Sequence, residues 1–258
     1  MEKNPDTLFS LAGRTAFVTG ASGGLGAAIA IGLAQAGADV AVHGEARPSD
    51  CDATAAAIRA AGVRFAAVAG DLADPATPGR LVNEVMAALG GLDILVNNAG
   101  TIRRASAEDT TDEDWDHVLD VNLGSVFRLC REVGRHMLVV GHGKIINIAS
   151  LLSFQGGIRV PAYAAAKSGV AAITRALANE WAGRGVNVNA IAPGYMRTAN
   201  TAALRADPDR SRQILERVPA GRWGEPDDLV GAAVFLASRA SDYVQGHVLV
   251  VDGGWMGR

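Results

Sequence analysis

Seven short apolar runs recur along this chain, at 14–19, 39–43, 64–69, 94–97, 144–148, 186–191 and 248–251, and Ala-rich stretches separate them. The runs are brief, apolar at consecutive positions and often β-branched, which is how a strand buried on both faces reads. Helical spacing marks the stretches 25–36, 53–61, 80–89, 111–138, 163–181 and 227–238. Strand alternating with helix admits few architectures: it predicts an α/β fold whose parallel sheet carries helices on both faces and binds ligands at the carboxyl ends of its strands. Thr110 with Glu113 has capping-box spacing, and Pro226 suits the first turn of the last helix. No linker-like run, internal repeat or low-complexity block interrupts the pattern, so 1–258 reads as one domain. The segment 196–221 breaks the alternation: it follows Pro193-Gly194 and holds an isolated polar helix. It predicts a small substrate lid over about 194–221.

Composition excludes several roles. With 258 residues, 49% hydrophobic and 20% charged, the chain buries a full core and is too apolar for disorder. Its net charge is -3 and it has no run of five or more Lys/Arg, so nucleic acid is not an expected partner. Apolar runs such as 232–237 fall far short of the ~20 residues of a membrane span, which predicts a soluble protein with no membrane partner. Residues 1–10 carry Glu2, Lys3, Pro5 and Asp6 without an apolar stretch behind a basic start, so no ordinary secretory signal is expected. Cys51 and Cys130 are the only cysteines; they form neither a disulfide framework nor a metal-spaced cluster, which predicts a reducing cytoplasm and no metal site.

Glycine, at 31 residues, is in excess of the usual ~7%, and its placement is informative. Directly after the first strand comes Thr19-Gly20-Ala21-Ser22-Gly23-Gly24-Leu25-Gly26, where a helix opens. Glycines let the backbone turn and approach a pyrophosphate, while the helix N-terminus offers unpaired N–H groups and a positive dipole end. In strand-turn-helix context this predicts dinucleotide binding. The spacing Thr-Gly-x-x-x-Gly-x-Gly resembles that of the short-chain dehydrogenase/reductase family. Gly70-Asp71-Leu72 ends the third strand and Asn97-Asn98-Ala99-Gly100 the fourth; Asn122, Ser150, Tyr163 and Lys167 follow at the family's separations, so the resemblance covers essentially the whole chain. It implies a single Rossmann-type doubly wound parallel seven-stranded sheet. It also implies a cofactor site at Gly20, Ser22, Gly24, Leu25, Gly26, Asp71, Leu72, Asn98, Ala99, Gly100, Tyr163, Lys167, Pro193 and Gly194.

Tyr163 and Lys167 are four apart in a helical stretch and so share a face. Lys and Tyr occur only three times each, and chance supplies such a pair about 0.03 times. Alcohol oxidation needs a base for the hydroxyl proton, and a nearby ammonium favours a phenolate. Tyr163 is therefore the expected acid/base. Ser150 can orient the reacting oxygen. By resemblance Lys167 lowers the Tyr163 pKa and binds the nicotinamide ribose, and Asn122 holds a water leading to Lys167. No nucleophile elbow competes, and the histidines at 43, 117, 136, 142 and 247 show no ligand spacing and read as surface or packing positions.

The family's acidic NAD-selecting position at the end of the second strand falls on Gly44. Glu45 is adjacent and suits the 2'-hydroxyl of NAD, whereas Arg47 suits NADP. Gly23 stands where many NADP-preferring relatives place a basic residue, so NAD is the expected cofactor, with NADP possible.

Longer strings, including residues 97–104, 148–163 and 219–226, resemble the family's sugar-acid dehydrogenases acting on 2-deoxy-D-gluconate or 2-dehydro-3-deoxy-D-gluconate. A carboxylate calls for guanidinium donors. Arg103, Arg104 and Arg159 lie in loops at the expected site, with Gln155 and Met196 beside them. These, with Ser150 and Tyr163, form the expected substrate set. A gluconate 5-dehydrogenase, a 3-oxoacyl carrier-protein reductase and a non-catalytic nucleotide sensor are the alternatives. The resemblance also implies a homotetramer, with 111–138 and 163–181 as interface helices.

Overall fold

The computed structural model describes residues 5–258; the opening residues 1–4, used in the secretory-signal reading, lie outside them. All seven expected strands form: β1 (Thr15–Val18), β2 (Asp39–Gly44), β3 (Phe65–Ala69), β4 (Ile94–Asn97), β5 (Gly143–Ile148), β6 (Val186–Pro193) and β7 (Val248–Val251). They make one all-parallel sheet in the order β3-β2-β1-β4-β5-β6-β7. The helices are α1 (Pro5–Leu8), α2 (Gly24–Gln35), α3 (Asp52–Ala60), α4 (Thr77–Leu89), α5 (Asp112–Leu119), α6 (Ser125–Val140), α7 (Pro161–Trp181), α8 (Ala202–Ala206), α9 (Pro208–Arg217) and α10 (Val230–Ala237).

Burial on both sides explains why the strands are mostly apolar. Every residue of β1, β4 and β6 is buried. Phe17, Leu95 and Val188 pack on one side with Val85, Leu129 and Val170 of α4, α6 and α7. Val18, Val40 and Val96 pack on the other with Ile29, Leu33 and Leu236 of α2 and α10. Strand order reverses between β1 and β4, so the connections leave in opposite directions and open a crevice at the carboxyl ends of these two strands.

Three local expectations are corrected. The stretch 111–138 is not one helix: α5 and α6 are joined by a π turn, Asp120–Gly124. The buried Asn122 amide donates to Val118 O at 2.9 Å and to Thr101 O at 2.9 Å. A side chain that takes a carbonyl from the i→i−4 ladder forces one wider turn. The cap of α5 is Thr111, whose Oγ1 accepts from Asp114 N at 3.1 Å, rather than Thr110, whose hydroxyl donates to Ser106 O. The segment 194–221 holds two short helices instead of one, because Asp207 ends α8 and caps α9 by accepting from Asp209 N and Arg210 N. Pro226 opens a 3-10 turn that leads into α10.

A small apolar cluster, Leu151, Ile214, Val218, Trp223 and Trp255, seats that segment on the body. Tyr195 bridges two of its members, edge-on to Trp223 at 5.7 Å and tilted to Trp255 at 4.7 Å.

Candidate active site

The glycine loop is fixed from below. Gly20 and Gly24 adopt positive φ, 62° and 56°, open to glycine at little cost. A Cβ on Gly26 would run into Gly20 O and the Asn98 amide, so Gly26 is a close-packing position and does not line a cavity. Asn98 reaches back with its side-chain amide, donating to Thr19 O and Gly20 O at 2.9 and 3.0 Å, while Thr19 Oγ1 accepts from Asn98 N and Ala99 N. These bonds lock the end of β4 to the loop after β1 across the crevice.

His43 was read as a packing residue, and it does more. It is 3% exposed, accepts from Gly20 N at 3.2 Å through Nδ1 and bonds Gly70 O at 2.8 Å through Nε2. Accepting at Nδ1 fixes the neutral tautomer with its proton on Nε2. Burial lowers its pKa, which suits that form. The signal for it in the sequence is a lone histidine directly after the apolar run Val40–Val42, one residue from the end of β2.

Along the crevice runs a cavity of about 610 Å³ lined by Gly20, Ser22, Gly24, Leu25, Glu45, Asp71, Leu72, Asn98, Ala99 and Gly100. Arg103, Asn122, Tyr163 and Lys167 line it too, and so do His43, His117 and Thr198, which the sequence reading left out. Gly44 has no room for a side chain, because a Cβ would press on Arg47 O and Asp50 Cβ. That accounts for the missing acidic residue at the end of β2. Glu45 faces the cavity instead, while Arg47 is turned to solvent, ion-paired with Asp50 at 3.5 Å.

A second cavity, about 490 Å³, shares Leu25, Ile148, Tyr163, Thr198 and Asn200 with the first. Ser150, Arg104, Gln155, Pro193, Gly194 and Met196 line it, so Pro193 and Gly194 stand on this side and not on the glycine-loop side. Arg210, Gln213, Ile214 and Arg217 of α9, with Tyr195 and Trp255, complete it; none of these six was singled out from sequence. Arg103 is paired with Asp114 at 3.4 Å. Arg159, in the left-handed region at φ 62°, is exposed and lines neither cavity.

At the junction, Ser150 caps a 3-10 turn, Leu151–Ser153, its Oγ accepting from Leu152 N at 3.2 Å. Lys167, 3% exposed, donates to Ile148 O at 2.7 Å. Ser153 Oγ donates to Lys167 O at 2.6 Å, so the turn after β5 is tied to α7. Burial pushes the Tyr163 phenol above its ordinary value, against the Ser150 hydroxyl and the Arg104 charge, which pull it down. Burial also brings Lys167 down to about 8. Without coenzyme, burial thus moves both groups against their charged forms, raising the phenol and lowering the ammonium.

A family model described as enoyl-(acyl carrier protein) reductase matches residues 20–256. The chain belongs to the short-chain dehydrogenase/reductase family. As a member of that family it is an oxidoreductase acting on CH–OH groups with NAD or NADP. The chain is 55% identical over 253 residues to the 2-dehydro-3-deoxy-D-gluconate 5-dehydrogenase of Bacillus subtilis, covering 97% of each. A solved structure from Agrobacterium tumefaciens, provisionally assigned as a 2-deoxy-D-gluconate 3-dehydrogenase and carrying NADP, is 54% identical. Its TM-score is 0.91, over 97% of this chain and 99% of that one. The gluconate 5-dehydrogenase of Burkholderia cenocepacia, solved with NADP and tartrate, is 40% identical, with a TM-score of 0.94 over 99% and 100%. The short-chain fold thus comes with a crevice whose glycine loop packs Gly20 against Ala99 and Gly24 toward Thr198, with no room for a side chain at Gly20.

Proposed function

We propose that this chain is a dehydrogenase of deoxy sugar acids, a 2-dehydro-3-deoxy-D-gluconate 5-dehydrogenase or a 2-deoxy-D-gluconate 3-dehydrogenase. The observation that carries this is the second cavity: it opens on Ser150 and Tyr163, and Arg104, Arg210 and Arg217 line it with no Asp or Glu among its described residues. Such a site suits an anion that also carries hydroxyls. Its relatives of matching length act on sugar acids by name. Of the alternatives, 3-oxoacyl carrier-protein reductase shares the fold at 36% identity, while gluconate 5-dehydrogenase, at 42% for the Gluconobacter oxydans enzyme and 55% for a provisionally assigned structure from Beutenbergia cavernae, is the second reading.

The glycine loop, with Ser22, Leu25, Asp71, Leu72, Ala99 and Gly100, would hold the nicotinamide dinucleotide, which accepts or gives the hydride. Ser150 orients the reacting oxygen. Tyr163 takes the hydroxyl proton in oxidation and returns it in reduction. Lys167 binds the nicotinamide ribose and, charged, favours the phenolate. Asn122, locked in the π turn, leads protons from Lys167 toward solvent. Glu45 supports NAD, while the NADP in the solved relatives makes NADP the second candidate.

One domain in the cytoplasm, assembled as a homotetramer through α5, α6 and α7, completes the reading. Exposed Trp115 and Phe127 on α5 and α6 support the assembly. No helix among the described residues is long and apolar enough to cross a membrane. The test is nicotinamide absorbance with 2-dehydro-3-deoxy-D-gluconate, 2-deoxy-D-gluconate and gluconate, each with NAD and NADP. Fast turnover of a deoxy acid is expected. Silence on all three, with reduction of acetoacetyl thioesters by NADPH, overturns the reading.

A further inference from the structure

The segment that covers the second cavity presents it with a stripe of one helix. Arg210, Gln213, Ile214 and Arg217 stand at i, i+3, i+4 and i+7 of α9 and all line the cavity, as the helical period requires of a single face. Ile214, 1% exposed, anchors the stripe in the apolar cluster, which leaves the guanidinium groups on either side of it along the cavity wall.

The charges on this helix divide cleanly. Arg212, outside the stripe, is occupied by Asp209 at 2.7 Å and Glu216 at 3.9 Å. Among the described residues, Arg210 and Arg217 have no carboxylate partner. Arg210 donates to Gln213 Oε1 at 3.1 Å, and Arg217 lies over the Trp255 ring at 4.1 Å. Trp255 is itself 6% exposed and packed against Tyr195, so it orients the guanidinium plane and leaves its edge donors free for a planar, bidentate acceptor. Arg104 is placed differently. It acts on the Tyr163 phenol and donates to Asn200 O at 3.4 Å, which puts it at the reacting end.

Building on the sugar-acid reading above, we propose that Arg210 and Arg217 bind the substrate's carboxylate, and that Arg104 faces the carbon being oxidised. Recognition of the acid then resides in α9, on the segment 194–221, rather than in the loops after β4 and β5 where the sequence places Arg103 and Arg159. Capture of the anion bridges the covering helix to the substrate, so the negative charge, more than the hydroxyl pattern, seats the helix over the site.

The test compares the 2-dehydro-3-deoxy-D-gluconate acid with its uncharged carboxamide in wild type, Arg210→Gln, Arg217→Gln and Arg104→Gln. In Arg210→Gln and Arg217→Gln the KM for the acid is expected to rise at least about tenfold. The KM values for the amide and for the coenzyme, and kcat, are expected to stay within about threefold. Preference for acid over amide kept in both variants and lost in Arg104→Gln overturns the proposal and leaves the sugar-acid reading standing. Calorimetry of sugar-acid binding to the coenzyme-loaded protein separates the two further. Arginine-dependent binding without turnover supports the carboxylate site while the proposed activity falls; an affinity unchanged in Arg210→Gln and Arg217→Gln overturns the site.

Discussion

Lys167 places its ammonium 5.6 Å from the centre of the Tyr163 ring, one helical turn away, while its hydrogen bond to Ile148 O holds it at the end of β5. The phenol and the ammonium are thus offered to the same space from one helix face, and each is shifted by burial against its charged form.

Tyr163→Phe is expected to fold and to bind coenzyme normally, and to lose about 10²- to 10⁴-fold in turnover, the scale of positioned acid/base catalysis. Because burial raises the phenol, oxidation by wild type is expected to climb steadily from pH 6 to pH 8. Steady-state kinetics checks both; near-normal kcat in the variant removes Tyr163 as the proton acceptor.

Lys167 links the site to stability. Its folded pKa, about 8, lies below the ordinary 10.5. Below pH 8 both states carry the charge and only the fold pays for burying it; between pH 8 and 10.5 the unfolded chain holds the extra proton, so stability rises with pH. Relative to Lys167→Met, wild type is expected to gain on the order of 1–3 kcal/mol across that window. Denaturant melts at pH 7, 8.5 and 10 measure it, and a difference constant with pH contradicts the assignment.

His43 holds the glycine loop to the end of β3 through Gly20 and Gly70. His43→Leu is expected to weaken coenzyme binding about tenfold, since an orphaned buried N–H typically costs ~1–3 kcal/mol, with kcat at saturating coenzyme little changed. Its folded pKa lies below 6.5, so its contribution is complete above pH 6.5 and is lost as pH falls through the lowered value. Coenzyme titrations by fluorescence at pH 7.5 and 5.5 read both effects.

Glu45 faces the cavity where Gly44 excludes a side chain. Glu45→Gln is expected to raise the ratio of kcat/KM with NADP to that with NAD about tenfold, by removing charge repulsion from a 2'-phosphate. An unchanged ratio shows that Glu45 lies away from the ribose.

Most strands were readable because they are apolar on both faces, with Asn147, Asn187 and Asn189 the buried polar exceptions in β5 and β6, and the Tyr163–Lys167 pair because helical spacing alone brings it to one face. What escaped depends on tertiary neighbours. Asn122 widens its own helix only because Thr101 lies within reach. Gly44 is a glycine because the chain folds back at Arg47. Arg210 and Arg217 sit in a helix that reads as solvated until Trp255 and the cavity are placed against it. Arg159 seemed well positioned by its loop, yet its backbone turns it outward.

The reversal of strand order between β1 and β4 divides the chain's choices as well as its connections. Ser22, Glu45 and Asp71, which line the glycine-loop end of the first cavity, precede Gly90-Gly91, where added side chains would meet nothing within 4 Å. Ser150, Tyr163 and the arginines of the second cavity all follow it. A chimaera between two family members joined at that glycine pair is therefore expected to take the Glu45 position from one parent and the arginines of the second cavity from the other, so the proposed coenzyme and substrate selectors can be exchanged separately.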